Sequence, residues 1–228
     1  NKIIELSKDC EGILCAVTDQ FNKELINRLS PSVKIIANFA VGYGNIDLEA
    51  ARQKNIVVTN TPEVLDDSTA DISILLLLGA SRKVLEARRA AELQNWKWSA
   101  DFMLGKQMSN KRLGILGMGR IGRAVAKRAR GFNMEIHYHN RNQLSKDLEE
   151  GAIYHKTIKD LFGCSDFLSI NCPATKETNK IINKETLAFL PDNVVIGNAA
   201  RGDVVDDEAM IAALKTKKVF AFGLDVYN

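Results

Sequence analysis

The chain has 228 residues, 46% apolar and 26% charged, with a formal net charge of +3. That balance is an ordinary globular one, and so small a charge gives no argument for nucleic acid or an anionic membrane as partner. The longest apolar stretch, residues 72–80 broken by Ser73, is too short to span a bilayer, and no signal peptide is visible in these residues.

Residues 12–17 form a short continuous apolar run, which predicts a buried parallel strand. Helical spacing follows over residues 22–29 and stops at Pro31. A second strand is predicted over 33–39, a helix over 47–54 with Asp47 as N-cap, and a third strand over 56–59. Alternation of strand and helix predicts a parallel α/β sheet. A single long helix is then expected over residues 68–93. Its first half is apolar nearly all round, which predicts burial. Its second half carries Arg82, Lys83, Arg88 and Arg89 and should be exposed. The segment 95–110 reads as a loop with Trp96 and Trp98 as packing anchors.

A second α/β unit opens with strand 112–116 and helix 120–130, ended by Gly131. Strand 135–139, a short helix near 158–162 and strand 167–171 come next. A helix near 184–189, stopped by Pro191, precedes strand 194–198. Helix 207–215 leads into strand 220–225. The expectation is two Rossmann-like parallel-sheet domains. A partial, flavodoxin-like substrate domain covers residues 1–94 and includes the long helix; a dinucleotide-binding domain covers 95–228.

The sharpest motif is Gly117-Met118-Gly119-Arg120-Ile121-Gly122, set between a buried strand and a helix. Gly117 permits the tight turn, Gly119 lets backbone approach a pyrophosphate, and Gly122 lets helix pack on strand. The helix N-terminus supplies N–H groups and partial positive charge to the phosphates. An Asp or Glu at the end of the next strand would bind a ribose 2′-hydroxyl, whereas an Arg suits a 2′-phosphate. Here that strand ends His139-Asn140-Arg141, so NADP(H) is preferred, with Asn140 and Arg141 as cofactor residues. The alternative is a surface arginine in a protein that uses NAD(H) without the usual acid.

Ligands of open α/β sheets bind at the carboxyl ends of strands. Arg201 falls there, after strand 194–198, and its guanidinium suits a carboxylate and a polarised carbonyl. Near the N-terminus, residues 38–47 read as a strand followed by a glycine-bearing loop. The N–H groups of Val41 and Gly42 could bind an anion there; the other reading is a plain turn. Carbonyl reduction needs a proton donor, usually His. His137 and His139 lie on one face of the second cofactor-domain strand, and His155 in a later linker. All three read as structural or surface residues, and no metal site is expected. Cys10, Cys15, Cys164 and Cys172 follow neither zinc nor redox spacing, as reduced thiols of a cytoplasmic protein do.

Taken together, Ala40–Asp47, Val58-Thr59-Asn60-Thr61-Pro62, the Gly117–Gly122 turn, Asn198-Ala199-Ala200-Arg201-Gly202 and Gly223-Leu224-Asp225-Val226-Tyr227 resemble the D-isomer-specific 2-hydroxyacid dehydrogenases. The likeness spans the chain in order. It is strongest to glyoxylate and hydroxypyruvate reductases that prefer NADPH. It implies that Arg201 is the catalytic arginine and holds substrate, together with backbone of Val41 and Gly42. Arg120 and Ile121 would contact the pyrophosphate, and Cys172, Pro173 and Thr178 would line the adenosine side. Ala199 and Asp225 would lie by the nicotinamide. The family's catalytic Glu and His are expected beyond Asn228, so the sequence is expected to be a piece of a longer chain, inactive alone. The resemblance also implies a cleft site for a small 2-keto acid and a homodimer, for which the long helix is a candidate element. Rival readings are an NAD-dependent dehydrogenase of another D-2-hydroxy acid and a dinucleotide-sensing, corepressor-like regulatory protein.

Overall fold

The computed structural model describes residues 2–94 and 97–227. The chain divides into two compact units, Asn1–Leu65 and Asp66–Asn228.

In the first unit, helix α1 (Lys2–Leu6) leads to β1 (Gly12–Ala16), α2 (Lys23–Arg28), β2 (Ile35–Phe39), α3 (Leu48–Gln53) and β3 (Val57–Thr59). The strands form a parallel sheet in the order β1-β2-β3. Both longer helices start at side-chain caps. Asn22 accepts from the Leu25 N–H, and Asp47 accepts from that of Ala50, as its sequence position predicts. Leu25 and Ile26 of α2 and Ala50 and Ala51 of α3 pack with Cys15 and Ile36 in one core cluster. The apolar run at β1 predicts burial on both faces, but its pattern is half open: Leu14 is 78% exposed and Phe39 74%, with Ile35 and Val57 also exposed. An alternating strand buries only the side chains facing its helices.

The second unit opens with α4 (Asp66–Ser81) and α5 (Val84–Glu92). Next come β4 (Arg112–Leu116), α6 (Arg120–Arg130), β5 (Glu135–His139), α7 (Lys146–Glu149), β6 (Ile153–Tyr154), α8 (Ile158–Gly163) and β7 (Phe167–Ile170). The remaining elements are α9 (Lys184–Ala188), β8 (Val194–Asn198), α10 (Asp207–Lys215) and β9 (Val219–Leu224). Six parallel strands are ordered β6-β5-β4-β7-β8-β9. The chain order reverses between β4 and β7, which makes that pair the topological switch point. Helix α6 buries Gly122, Val125, Ala126 and Ala129, a stripe at helical spacing.

Several expectations are corrected here. The long helix is two helices. Lys83 takes a left-handed conformation at the start of α5, and the Ser81 carbonyl at the end of α4 accepts the Lys106 N–H. Helix α4 belongs with the second unit: Ala70 and Leu77 share a core with Leu113, Ile115, Val125 and Phe167. The division therefore falls at Leu65/Asp66 rather than after residue 94. Nor is α4 buried all round. Ala70, Ser73, Leu77 and Ser81 face inward, whereas Leu75 is 61% exposed. Helix α5 buries none of its residues, as its arginines predict. Trp98 is 83% exposed and anchors nothing by burial; Trp96 lies outside the described residues.

Candidate active site

The glycine turn follows β4 at the switch point. Gly117 sits at φ +93°, and a Cβ there would stand 2.7 Å from the Cys172 backbone nitrogen. A Cβ at Gly122 would stand 2.4 Å from the Gly117 carbonyl oxygen. Both positions therefore need glycine for the fold itself. Gly119 does not: a Cβ there meets nothing within 4 Å, and its φ is −79°. Space above Gly119 is open to a ligand. Gly119 is also the N-cap of α6 and puts no side-chain cap on the first-turn N–H groups. These features fit a dinucleotide pyrophosphate. Arg120, at the helix start, pairs with Asp66 at 3.6 Å. Ile121 is half-buried.

Asn140 locks the turn in place. Its Oδ1 accepts the Met118 N–H at 2.7 Å, and its Nδ2 donates to the Met118 carbonyl at 3.3 Å. The segment after it, carrying exposed Arg141, is pinned from below. The Tyr154 hydroxyl donates to the Asn140 carbonyl, and the Tyr138 hydroxyl accepts from Leu144 N–H. Tyr138 also donates to buried Glu149 at 2.8 Å, and Gln143 and Lys146 donate to the same carboxylate. The bonds from Lys146, Gln143 and Tyr138 hold the Glu149 carboxyl down to a pKa of about 2. Burial, reinforced by Glu149, pushes the Tyr138 phenol up to about 12. Neither residue was legible as part of this support in the sequence, since a Glu in a short surface helix carries no signal of burial.

Across the switch point, Cys172 is buried and its thiol is pushed up to about 11 by desolvation, so it packs rather than reacts. Pro173 is exposed beside it. The Thr178 hydroxyl donates to the Pro173 carbonyl at 2.6 Å and accepts the Thr175 N–H at 2.7 Å, so it shapes this loop. The Glu177 carboxyl is lowered mainly by its bond from Thr175, with a smaller contribution from the Arg141 charge, which puts Arg141 near this loop. At the end of β7 the buried Asn171 Oδ1 has no protein hydrogen-bond partner. An orphaned acceptor at the switch point suits a donor from a bound ligand or water.

At the far side of the sheet, fully buried Asn198 builds the turn that presents Arg201. Its Oδ1 accepts the Ala200 N–H at 2.9 Å, and its Nδ2 donates to the Arg201 carbonyl at 2.8 Å. The Arg201 side chain is exposed, with Nη1 on the Ala200 carbonyl at 2.6 Å. The Asp225 N–H donates to the Asn198 carbonyl, so Ala199 and Asp225 leave neighbouring strands at the same level. His137, His139 and His155 lie on β5 and just after β6, beyond β4 from the β8–β9 edge.

In the first unit, the loop after β2 has its carbonyls taken by protein donors. Thr61 N–H donates to Ala40, Asn60 Nδ2 to Val41 and Asn38 Nδ2 to Gly42. Buried Asn38 and Asn45 also bond to each other. With the carbonyls turned to the protein, no protein acceptor among the described residues receives the Val41 or Gly42 N–H. That is the geometry of a backbone anion site. The asparagines that create it stand at strand ends, where their side chains compete with the ladder for backbone groups.

The sheet order, the glycine turn and the arginine-bearing strand end together define a nicotinamide dinucleotide-binding α/β protein. Residues 74–228 match the D-isomer specific 2-hydroxyacid dehydrogenase NAD binding domain. The chain is 41% identical to a glyoxylate reductase of Thermococcus litoralis, covering 99% of this chain and 70% of that protein. It is 36% identical to a glycerate dehydrogenase of Hyphomicrobium methylovorum, covering 100% and 71%. A crystal structure of a glyoxylate reductase from Paecilomyes thermophila superposes with a TM-score of 0.92 at 40% identity, over 99% of this chain and 71% of that one. The chain belongs to the D-isomer specific 2-hydroxyacid dehydrogenase family. Among the described residues no helix is long and apolar enough to cross a membrane.

Proposed function

We propose that the chain serves an NADP(H)-dependent reductase of a small 2-keto acid, glyoxylate or hydroxypyruvate. The observation that carries this reading is Arg201, exposed on an Asn198-built turn in the same sheet as the glycine turn. When bound, the nicotinamide supplies a hydride for the keto carbon. Gly117, Gly119, Gly122 and the N–H groups of Arg120 and Ile121 hold the pyrophosphate. Cys172, Pro173 and Thr178 border the adenosine, and Ala199 and Asp225 the nicotinamide. Arg201 grips the substrate carboxylate and stabilises charge growing on the carbonyl oxygen. Within the first unit, the N–H groups of Val41 and Gly42 are proposed to bind a carboxylate.

Support for the 2′-phosphate comes from Arg141, exposed where an NAD-binding acid would stand, on a segment anchored by Tyr138, Tyr154 and Glu149. The decisive experiment measures, on the full-length protein, NADPH and NADH oxidation with glyoxylate, hydroxypyruvate and bulkier 2-keto acids. Preference for NADPH with a two- or three-carbon acid is expected. Preference for NADH, or for a bulky acid, assigns the chain to a different dehydrogenase of the same family. Binding of the dinucleotide without turnover of any acid favours a sensing role. Arg141→Ser should weaken NADPH at least tenfold, about 1.4 kcal/mol, and leave NADH nearly unchanged. We also propose a homodimer that uses α4, whose Leu75 and Leu78 lie three apart on one exposed face.

A further inference from the structure

The side chains of His137, His155 and Cys164 converge on the β5–β6 edge of the six-stranded sheet. They come from the middle of β5, the residue after β6 and the end of α8. Nothing in the reductase reading uses them. His137 Nδ1 lies 2.9 Å from His155 Nε2, and Cys164 Sγ lies 3.6 Å from the same nitrogen. All three atoms fall within 4.8 Å of one another. We propose that His137 Nδ1, His155 Nε2 and Cys164 Sγ form a binding site for a zinc-like transition-metal ion.

Distance supports the assignment. Tetrahedral zinc holds nitrogen at about 2.0–2.1 Å and thiolate sulfur at about 2.3 Å, so its N and S ligands stand roughly 3.5 Å apart and two N ligands roughly 3.3 Å apart. The His155–Cys164 separation already has that value, the two histidines need part by only a few tenths of an ångström, and His137 and Cys164, within 4.8 Å, need close towards it. Donor type supports it too. Imidazole and thiolate are the ligands that zinc and its neighbours take, whereas calcium and magnesium take oxygen. His137 Nε2 is 2.6 Å from Glu135 Oε1, and donating its proton there leaves Nδ1 as the lone-pair nitrogen facing the cluster. This carboxylate–histidine pairing orients metal-binding imidazoles in general. Thiolate is the metal-binding form of cysteine, so binding releases the Cys164 proton to solvent.

An ion here would join β5, β6 and α8 just below Asn140 and Arg141. Its three protein ligands leave a fourth position for water, and its binding free energy would add to folding stability. The test uses wild-type chain with zinc added and then dialysed against a weak chelator. One zinc per chain is expected by elemental analysis, with a rise in Tm. Cobalt in its place should show a thiolate-to-cobalt charge-transfer band. His155→Gln and Cys164→Ser should each weaken retention at least tenfold and abolish the Tm rise, with unchanged circular dichroism. Cys10→Ser, which removes an exposed thiol, should behave as wild type. Failure of the wild type to hold zinc or to give the cobalt band overturns the proposal. So does retention at the wild-type level by either site variant, or loss on replacing Cys10.

Discussion

Single residues separate what the fold requires from what a ligand requires. Gly117 and Gly119 look alike in the motif, yet only Gly117 has a positive φ and a neighbouring backbone in the way of a Cβ. Gly117→Ala should therefore cost about 1–3 kcal/mol of stability, read from urea unfolding. Gly119→Ala should melt like wild type but lose at least tenfold in dinucleotide affinity, about 1.4 kcal/mol, measured by calorimetry. Equal stability losses in the two variants would contradict the distinction. Arg201 is exposed, so Arg201→Gln should leave Tm unchanged and lower kcat/KM about 10²–10³-fold in an active protein, the scale of one lost oxyanion donor. The motif glycines and Arg201 were legible because backbone geometry and charge restrict those positions. Asn38, Asn140 and Asn198 were harder to read. An asparagine gains such a role only from which backbone groups come within reach of its amide.

At the scale of elements, the cofactor-side segment depends on helix α7 and strand β6, neither of which the sequence predicts. Each is too short, at four and two residues, for a periodic pattern to develop. Their work is to bring Glu149 and Tyr154 beneath the Arg141 segment. The Glu149 carboxyl sits at about 2 in the folded chain against an ordinary 4.5. A depressed folded-state pKa adds stability that is complete above about pH 4.5 and fades as pH falls towards 2. Glu149→Gln should flatten the stability–pH curve in that window, seen by urea titration at several acid pH values. An unchanged slope would remove Glu149 from the account of acid sensitivity. Helix α4 shows the reverse difficulty. Its apolar pattern runs on into Arg82 and Lys83, and Gly79 lies inside the helix rather than at its end. The break comes from Lys106, whose N–H takes the Ser81 carbonyl.

For the whole molecule, the apolar residues left at the surface are the ones to test. Helix α4 carries an outward Leu75 and Leu78 beyond what its own core uses. Exposed apolar stripes on a helix mark association surfaces. If the proposed homodimer forms through α4, Leu75→Asp should leave a monomer in sedimentation velocity without lowering the Tm of the unit at micromolar concentration. A dimer that persists would move the interface away from α4. The sheet of the first unit presents a second open apolar face through Leu14, Ile35, Phe39 and Val57. The continuous apolar run at β1 reads as double-sided burial, because composition registers hydrophobicity and is blind to which helices arrive to cover it.

Local rules alone determined the alternating α/β class, most strand and helix positions, the glycine turn, the Asp47 cap and the positions of Arg141 and Arg201. Each rests on periodicity, capping or backbone freedom, which act over a few residues. Only the tertiary structure decided that α4 packs with the second unit and that buried asparagines shape the site loops. Only there do His137, His155 and Cys164 meet, from positions that follow no metal-binding spacing. Such groupings depend on strand order and on distances closed by folding, and those join residues too far apart in the chain for any local pattern to record.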